Sequence, residues 1–223
     1  MKALHEKKVY LVSGALTLLT CALYVGLRNK THYDFLVWNL FLAWIPMAAA
    51  GLIAPVQSWL KGKLRLLLLA SLGGIWLLFY PNSPYIVTDL VHLTLLKTRY
   101  SADGQLIFYY WYDFIVIMLF AWTGLLLGFF STYRLQEWIG GMYGRFVSWC
   151  FVLAVSLLAG YGILLGRKYR LNSWEVFTDR QAVLDTIRQT VTMESVLFCL
   201  LFGLFIAVVH VTFYVFLHGL RKV

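Results

Sequence analysis

Long apolar runs separated by short polar stretches form the dominant pattern of this chain. A helix needs about 20 apolar residues to cross the hydrocarbon core of a bilayer, and runs of that length recur throughout the sequence. They predict an all-α integral membrane protein, a polytopic helical bundle of about six transmembrane helices in one domain, 1–223. The predicted spans are residues 9–27, 35–54, 64–80, 109–130, 146–166 and 196–217.

A shorter segment, residues 84–96, follows the third span. At about 1.5 Å per residue it would cover only about 20 Å, which predicts a short re-entrant or interfacial helix rather than a span. A structural turn precedes it, with Ser83 as the expected N-cap and Pro84 at the first helical position. This turn consists of Pro81, Asn82, Ser83 and Pro84. The positive-inside rule instead favours a seventh span, so length and charge disagree, and we follow length.

A polar stretch, residues 167–194, follows the fifth span. Its apolar residues recur at helical spacing, which predicts an amphipathic loop lying on the membrane surface. With six spans and a cytoplasmic N-terminus, this loop and the turn after the third span both lie on the outer face.

Composition supports a membrane protein and excludes most soluble classes. The chain is 61% hydrophobic and only 13% charged, whereas soluble domains are about a quarter charged. The net charge of +9 is spread between the apolar runs. It therefore predicts binding to the lipid bilayer, and to anionic lipid in particular, rather than to nucleic acid. The basic residues 1–8 lead into a first span that we expect to be retained, not cleaved as a signal peptide.

Three cysteines, Cys21, Cys150 and Cys199, fall inside predicted spans. An odd and widely spaced set predicts packing residues rather than a disulfide framework or a zinc site. Polar residues inside the spans, Asn39 and His210, are expected to form hydrogen bonds within the bundle.

The short helix carries the first candidate catalytic residues. Tyr85, Thr88, Asp89 and His92 recur at spacings of three and four, so they share one helix face. Asp89 is a candidate base and His92 its partner, because ionisable residues at a membrane span are functional candidates by default. The structural alternative is that Asp89 pairs with a nearby Arg while His92 anchors at the headgroups.

Asp113, just inside the fourth span, is the third catalytic candidate. A carboxylate there needs a cation or proton, so a structural ion pair is the equal alternative. A metal site needs at least three protein ligands and Asp113 is the one obvious addition, so no metal and no cofactor is predicted.

A basic cluster at the end of the fifth span is the candidate anion-binding site. Arginine offers bidentate geometry to phosphate and carboxylate, which favours anion or lipid recognition. The alternative is plain anchoring to anionic lipid. The candidate residues are Arg167, Lys168, Arg170, Asn172 and Trp174.

Small residues four apart predict close helix packing. The pairs are Gly124/Gly128, Gly140/Gly144, Ser156/Gly160 and Gly162/Gly166. They predict tight contact between the fourth and fifth spans, with a homodimer through the same helix faces as the alternative.

Four motifs occur in order along the chain, within residues 38–46, 81–93, 111–113 and 166–174. Together they resemble the bacterial multi-pass membrane protein family called domain of unknown function thirteen-sixty-one, over about Phe35 to Val215. Ser83 and Glu175 stand where that family usually has Ala and Asp. The resemblance implies a bacterial cytoplasmic membrane and supports treating the motifs as one unit, but it implies no activity.

The motifs predict one site at the outer face. Carboxylates and a His beside a basic cluster suit an enzyme that acts on a phosphate-bearing or anionic lipid by transfer or hydrolysis. Two alternatives remain open, a small ion-coupled transporter and an accessory or assembly subunit of a membrane complex.

Overall fold

The computed structural model describes residues 2–26, 33–95, 100–102 and 105–219. The long helices are α1 (Lys2–Gly26), α2 (Phe35–Trp59), α3 (Gly62–Phe79), α6 (Phe108–Tyr143), α7 (Arg145–Lys168) and α10 (Met193–Gly219). The shorter elements are α4 (Asn82–Tyr85), a 3₁₀ helix (Ile86–Leu90), α5 (Val91–Leu95), β1 (Ser101–Ala102), β2 (Gln105–Leu106), α8 (Glu175–Thr178) and α9 (Arg180–Gln189). Leu27 and Leu96, the predicted ends of the first span and the short helix, lie outside the described residues.

Six helices of the described chain are long and apolar enough to cross a membrane. They are the six long helices above, with α1 counted from Lys7 and α3 extended through Leu95 as one candidate span of 34 residues. The prediction of an all-α, multi-pass membrane protein with six spans and a short helix after the third is confirmed. The small strand pair β1 and β2 joins that short helix to α6.

One end of the bundle collects the sequence motifs, and we call it the motif end. There α1 and α7 finish while α2, α6 and α10 begin. The Tyr24 hydroxyl donates to Asp34 at 2.5 Å, and the Tyr112 hydroxyl donates to the Leu23 carbonyl. These bonds tie the end of α1 to the start of α2 and of α6.

Helix α6 continues well past its predicted limit at Phe130, reaching Tyr143. The apolar run stops near Arg134 and Glu137, but polar residues end a membrane crossing without ending a helix. Arg134 is held inside the bundle, where it donates to the Tyr10 hydroxyl at 2.6 Å.

The chain stays inside the bundle after α3. Tyr80 and Pro81 keep right-handed helical backbone angles, so α4, the 3₁₀ helix and α5 follow α3 as a broken extension of it. Between them, α4 and the 3₁₀ helix pack against α2, α6 and α7. Irregular backbone at membrane depth is tolerated where protein surrounds it, and this packing provides that enclosure.

The predictions that Ser83 is an N-cap and that Pro84 takes the first helical position are both wrong, because α4 begins at Asn82. Ser83 lies within α4, whose N-cap position is Pro81, and its hydroxyl donates to the Ala43 carbonyl at 3.3 Å. A fully buried hydroxyl needs an acceptor, and α2 supplies it. The neighbouring Asn82 makes the local bond instead, since its side-chain amide donates to the Phe79 carbonyl at 3.0 Å.

Glycines on two helices let the turn sit inside the bundle. A Cβ on Gly124 would lie 2.6 Å from the Ser83 carbonyl oxygen, and one on Gly128 would lie 3.0 Å from the Ser83 Cβ. A Cβ on Gly162 of α7 would lie 2.5 Å from the Pro81 ring. These contacts correct the expectation that the small residues mainly join the fourth span to the fifth.

Gly160 faces α10, where an added Cβ would lie 2.5 Å from the Cys199 carbonyl oxygen. Among the glycines of the four pairs, Gly140 alone lies at the predicted contact between α6 and α7, where it faces Ser148. A Cβ on Gly144, in contrast, has nothing within 4 Å. A homodimer through these helix faces stays a prediction.

The expectation for the polar residues of the spans is confirmed, and that for the cysteines only in part. Cys21 packs against the core and Cys199 is half-buried, whereas Cys150 is exposed. Asn39 donates to Asp89 at 3.0 Å, and His210 Nε2 lies 2.8 Å from the Gln136 side-chain oxygen. All three cysteines are free thiols.

Candidate functional site

A buried ion pair between Asp89 and Arg167 is the centre of the candidate site. The Arg167 guanidinium donates to Asp89 Oδ1 at 2.5 Å, while Asn39 donates to Oδ2 at 3.0 Å. Asp89 is 1% exposed and the Arg167 side chain 23% exposed. Both carboxylate oxygens therefore have charged or amide donors, which is the arrangement that a buried carboxylate requires.

The position of Arg167 follows from the end of α7. A cation in the last turn is favoured by the helix dipole, and Arg167 lies in that turn. Gly166 lets α7 approach the Tyr85 ring closely, because a Cβ at this position would lie only 3.0 Å from the ring. The Gly162 and Gly166 pair thus brings α7 against the broken segment and places Arg167 beside Asp89.

The predicted shared face of the short helix is present and is directed at Arg167. The Thr88 hydroxyl accepts from Arg167 Nε at 2.9 Å, and the guanidinium lies 4.7 Å from the centre of the Tyr85 ring. Arginine stacks on aromatic rings while keeping its hydrogen bonds, so three residues of this face hold one guanidinium.

His92 is only loosely joined to Asp89. Its Nδ1 lies 3.0 Å from the Asp89 backbone oxygen but 3.9 Å from the carboxylate. The ring packs instead on Phe35, with centroids 4.8 Å apart. This geometry therefore does not form the carboxylate–histidine bond expected of a base and its orienting partner.

Asp113 lies in a separate tyrosine cluster. The Tyr100 hydroxyl donates to Asp113 Oδ2 at 2.6 Å and lies 2.6 Å from the Tyr33 hydroxyl. Burial, and then the hydrogen bond to Asp113, raise the pKa of Tyr100 well above its usual value. The ring centroids of Tyr33 and His92 are 6.2 Å apart. The tyrosine cluster therefore borders the Asp89 site through His92.

The Tyr100 hydroxyl is expected to stabilise this cluster. Tyr100→Phe removes a buried donor from Asp113 and should lower the free energy of unfolding by about 1–3 kcal/mol. Thermal unfolding in detergent measures the change. Tyr143→Phe, at an exposed position near the end of α6, is the control and should change stability little; equal losses in both variants would contradict the assignment.

The four remaining cluster residues at the end of α7 serve different roles. Lys168 pairs with Glu194 at 2.9 Å, and Asn172 donates to Glu175 at 2.7 Å. Arg170 adopts a left-handed backbone, φ 56°, and is exposed. The structure thus brings Arg167 to Asp89, whereas Lys168 and Arg170 lie at the surface.

Trp174 forms part of a cavity of about 400 Å³ at the motif end. Its ring meets Trp38 edge-on with centroids 6.1 Å apart. Leucines of α2, α3 and α7 form the apolar wall, and α8 and α9 contribute Val176, Val183 and Ile187. The cavity therefore has the mixed apolar and polar lining typical of a small-molecule site.

The ion pair lies directly behind the polar wall of this cavity. Asn39 and Tyr85 both line it, and each also contacts the pair, Asn39 through Asp89 and Tyr85 through Arg167. Asn82 joins the wall to the surface loop because its amide donates to Ser173 at 3.0 Å. Residues from three of the four sequence motifs, 38–46, 81–93 and 166–174, thus meet at one cavity, whereas none of residues 111–113 lines it.

Sequence reasoning missed the tyrosine cluster and the cavity. Tyr33 and Tyr100 lie in connecting segments, without the helical spacing that singles out residues such as Thr88. No group of three or more metal-binding side chains is found among the described residues.

Comparison with known proteins identifies a family. The family model described as "Protein of unknown function (DUF1361)" matches residues 38–209. The family resemblance read from the motifs carries the same number, and the match corrects its extent from about Phe35–Val215 to the narrower range. No curated protein and no solved structure matches the chain.

Proposed function

The chain belongs to the DUF1361 family, and we propose that it is a membrane-embedded enzyme that binds a phosphate-bearing or anionic lipid at the motif end. The observation that carries this proposal is the cavity of about 400 Å³ whose polar wall is bonded to the Asp89–Arg167 pair. We place the protein in a bacterial cytoplasmic membrane with the motif end outward.

The cavity suits one end of an amphiphile. Its apolar wall includes Leu77, Leu158 and Leu165, while Asn39, Asn82 and Asn172 provide polar groups. A lipid entering between the helices would bury part of a chain against the leucines and present its head group to the amides. Apolar pockets with a few placed polar groups are the usual form of such sites.

The ion pair offers chemistry behind that wall. An anionic phosphate that binds Arg167 competes with Asp89 for the guanidinium. Asp89 then loses its cationic partner, becomes a stronger base and is able to accept a proton from an attacking water or hydroxyl. In this proposal Asp89 is the base, Arg167 the anion clamp, and Lys168 and Arg170 attract the lipid at the surface.

His92 and Asp113 would act around this centre. His92 borders both Asp89 and the tyrosine cluster that holds Asp113, so it is placed to pass a proton away from the base. This assignment requires the His92 ring to approach the carboxylate more closely than its present 3.9 Å.

Lipid composition tests the proposal. Deletion of the gene should change the amount of one phosphate-bearing lipid class, and the native chain should restore it. The double variant Asp89→Asn/Arg167→Met should accumulate in the membrane but fail to restore the lipid. The control Arg188→Met, which removes the cation of an exposed pair with Asp185, should restore it. An unchanged lipid profile in the deletion strain would contradict the enzyme.

An ion-coupled carrier is the second candidate, favoured by the broken helix after α3. Discontinuous helices inside a bundle form substrate and ion sites in many transporters. Against it, Asp89 is already neutralised by Arg167 at 2.5 Å. Proton- or sodium-driven uptake into liposomes containing the purified chain would favour the carrier.

A further inference from the structure

The hydrogen-bonding groups of the cavity select for a particular kind of head group. Three asparagines line its polar side, Asn39, Asn82 and Asn172. An asparagine amide offers two donor hydrogens and one acceptor oxygen, and which of these the protein already uses decides what a ligand can bind.

The protein uses both amide hydrogens of Asn82 and one each of Asn39 and Asn172. Asn39 donates to Asp89 at 3.0 Å, and Asn172 donates to Glu175 at 2.7 Å. Asn82 donates to both the Phe79 carbonyl and the Ser173 hydroxyl, each at 3.0 Å. Since carboxylates and carbonyls accept only, these bonds fix which end of each amide is the nitrogen. The three oxygens remain as acceptors, and one N–H each of Asn39 and Asn172 and the Ser173 hydroxyl remain as donors. The cavity thus offers both uncharged acceptors and uncharged donors, which a hydroxyl group can use together.

The charged residues around the cavity further restrict which head groups it can bind. In the described part of the chain, no charged side chain lines it. Arg167 lies over the ring of the lining residue Tyr85, with its guanidinium 4.7 Å from the ring centre, and Lys168 and Arg170 follow it in the chain. A charged phosphate would find no cation in the lining, whereas basic residues lie beside it, so we expect the phosphate next to those residues. An ammonium head group would find acceptors in the lining but no carboxylate, and basic residues beside the cavity would repel it. The cavity therefore does not favour an ammonium.

We infer that the cavity binds a hydroxyl-rich, uncharged head group, such as a glycerol or a sugar, attached to a lipid through a phosphate that lies beside Arg167 and Arg170. The hydroxyls donate to the asparagine oxygens, and the Trp38 and Trp174 rings cover the C–H faces of the head group. This inference rests on the proposed function only for the presence of a phosphate-bearing lipid.

Native mass spectrometry of the purified full chain with an equimolar lipid mixture tests the inference. The probes share acyl chains and differ in head group: phosphatidylglycerol, phosphatidylethanolamine and phosphatidic acid. Phosphatidylglycerol should be retained about tenfold over the other two, the ratio that corresponds to about 1.4 kcal/mol. Asn172→Ala should reduce that preference severalfold, whereas Gln181→Ala, on an exposed position of α9, should leave it intact.

Each other outcome overturns a different statement. Equal retention of phosphatidic acid and phosphatidylglycerol would overturn the hydroxyl inference while leaving anionic-lipid binding in place. Preference for phosphatidylethanolamine would replace the hydroxyl by an ammonium. If Asn172→Ala does not change a preference for phosphatidylglycerol, the head group binds somewhere other than the cavity. Retention of no lipid would contradict the proposed function itself.

Discussion

Arg167→Met is expected to destabilise the folded protein by about 3–5 kcal/mol, because it leaves the Asp89 carboxylate buried without its cation. Asp89 is 1% exposed, so water cannot replace the lost partner. Thermal unfolding in detergent, together with the amount of protein in the membrane, measures the loss.

The adjacent Lys168→Met is the matched control for this variant. Lys168 is on the same turn and also pairs with a carboxylate, but Glu194 is 79% exposed. Exposed pairs contribute about 0–1 kcal/mol, so the control should lose little. Similar small losses in the two variants would mean that Arg167 is not the partner of a buried charge.

The double variant Asp89→Asn/Arg167→Met separates stability from function. Removing both charges avoids an isolated buried ion and should recover most of the stability that Arg167→Met loses. If it recovers stability but not function, the pair takes part in the activity. If it recovers both, the pair is structural, which is the alternative that the sequence left open.

Gly124→Ala is expected to have the second large effect. The added Cβ would lie 2.6 Å from the Ser83 carbonyl oxygen and 2.9 Å from the Ile86 Cδ1. Because a backbone atom cannot rotate away, α6 or the turn must shift, at a cost of about 1–3 kcal/mol or more. The shift should also loosen the Asp89–Arg167 pair, since Asp89 follows Ile86 within the same 3₁₀ helix.

Gly141→Ala is the control on the same helix. A Cβ there has nothing within 4 Å, and the substitution should be neutral or slightly stabilising because alanine favours helix. Thermal unfolding of the two variants compares them directly. Equal behaviour would contradict the enclosure of the turn between α6 and α2.

The sequence was sufficient for the membrane helices because each depends on a local property, the length of an apolar run. The same property predicted, wrongly, that the helix of α6 ends at Phe130. An apolar run stops at polar residues, but a helix can continue through them, and α6 reaches Tyr143. This property also missed the division of the short segment into α4, a 3₁₀ helix and α5, because two closely spaced prolines disturb the backbone there.

The site itself depends on contacts between distant residues. Asp89 and Arg167 were both selected by chemistry, but their pairing follows from the Gly162 and Gly166 contacts with the turn, which no local pattern reveals. The cavity depends on how α8 and α9 fold back over α2 and α3. The tyrosine cluster of Tyr33 and Tyr100 arises in connecting segments that have no periodic pattern.

Photo-crosslinking tests most directly the central claim that a phosphate-bearing lipid occupies the cavity. A photoreactive anionic lipid is incubated with the purified chain, and the labelled peptides are identified by mass spectrometry. Gly74 lines the cavity and Gly73 does not, and a Cβ at either position has nothing within 4 Å. The account predicts labelling at Leu77, Leu158 or Leu165, abolished by Gly74→Leu and retained in Gly73→Leu. Labelling confined to outward-facing residues such as Leu66, unchanged in both variants, would contradict it.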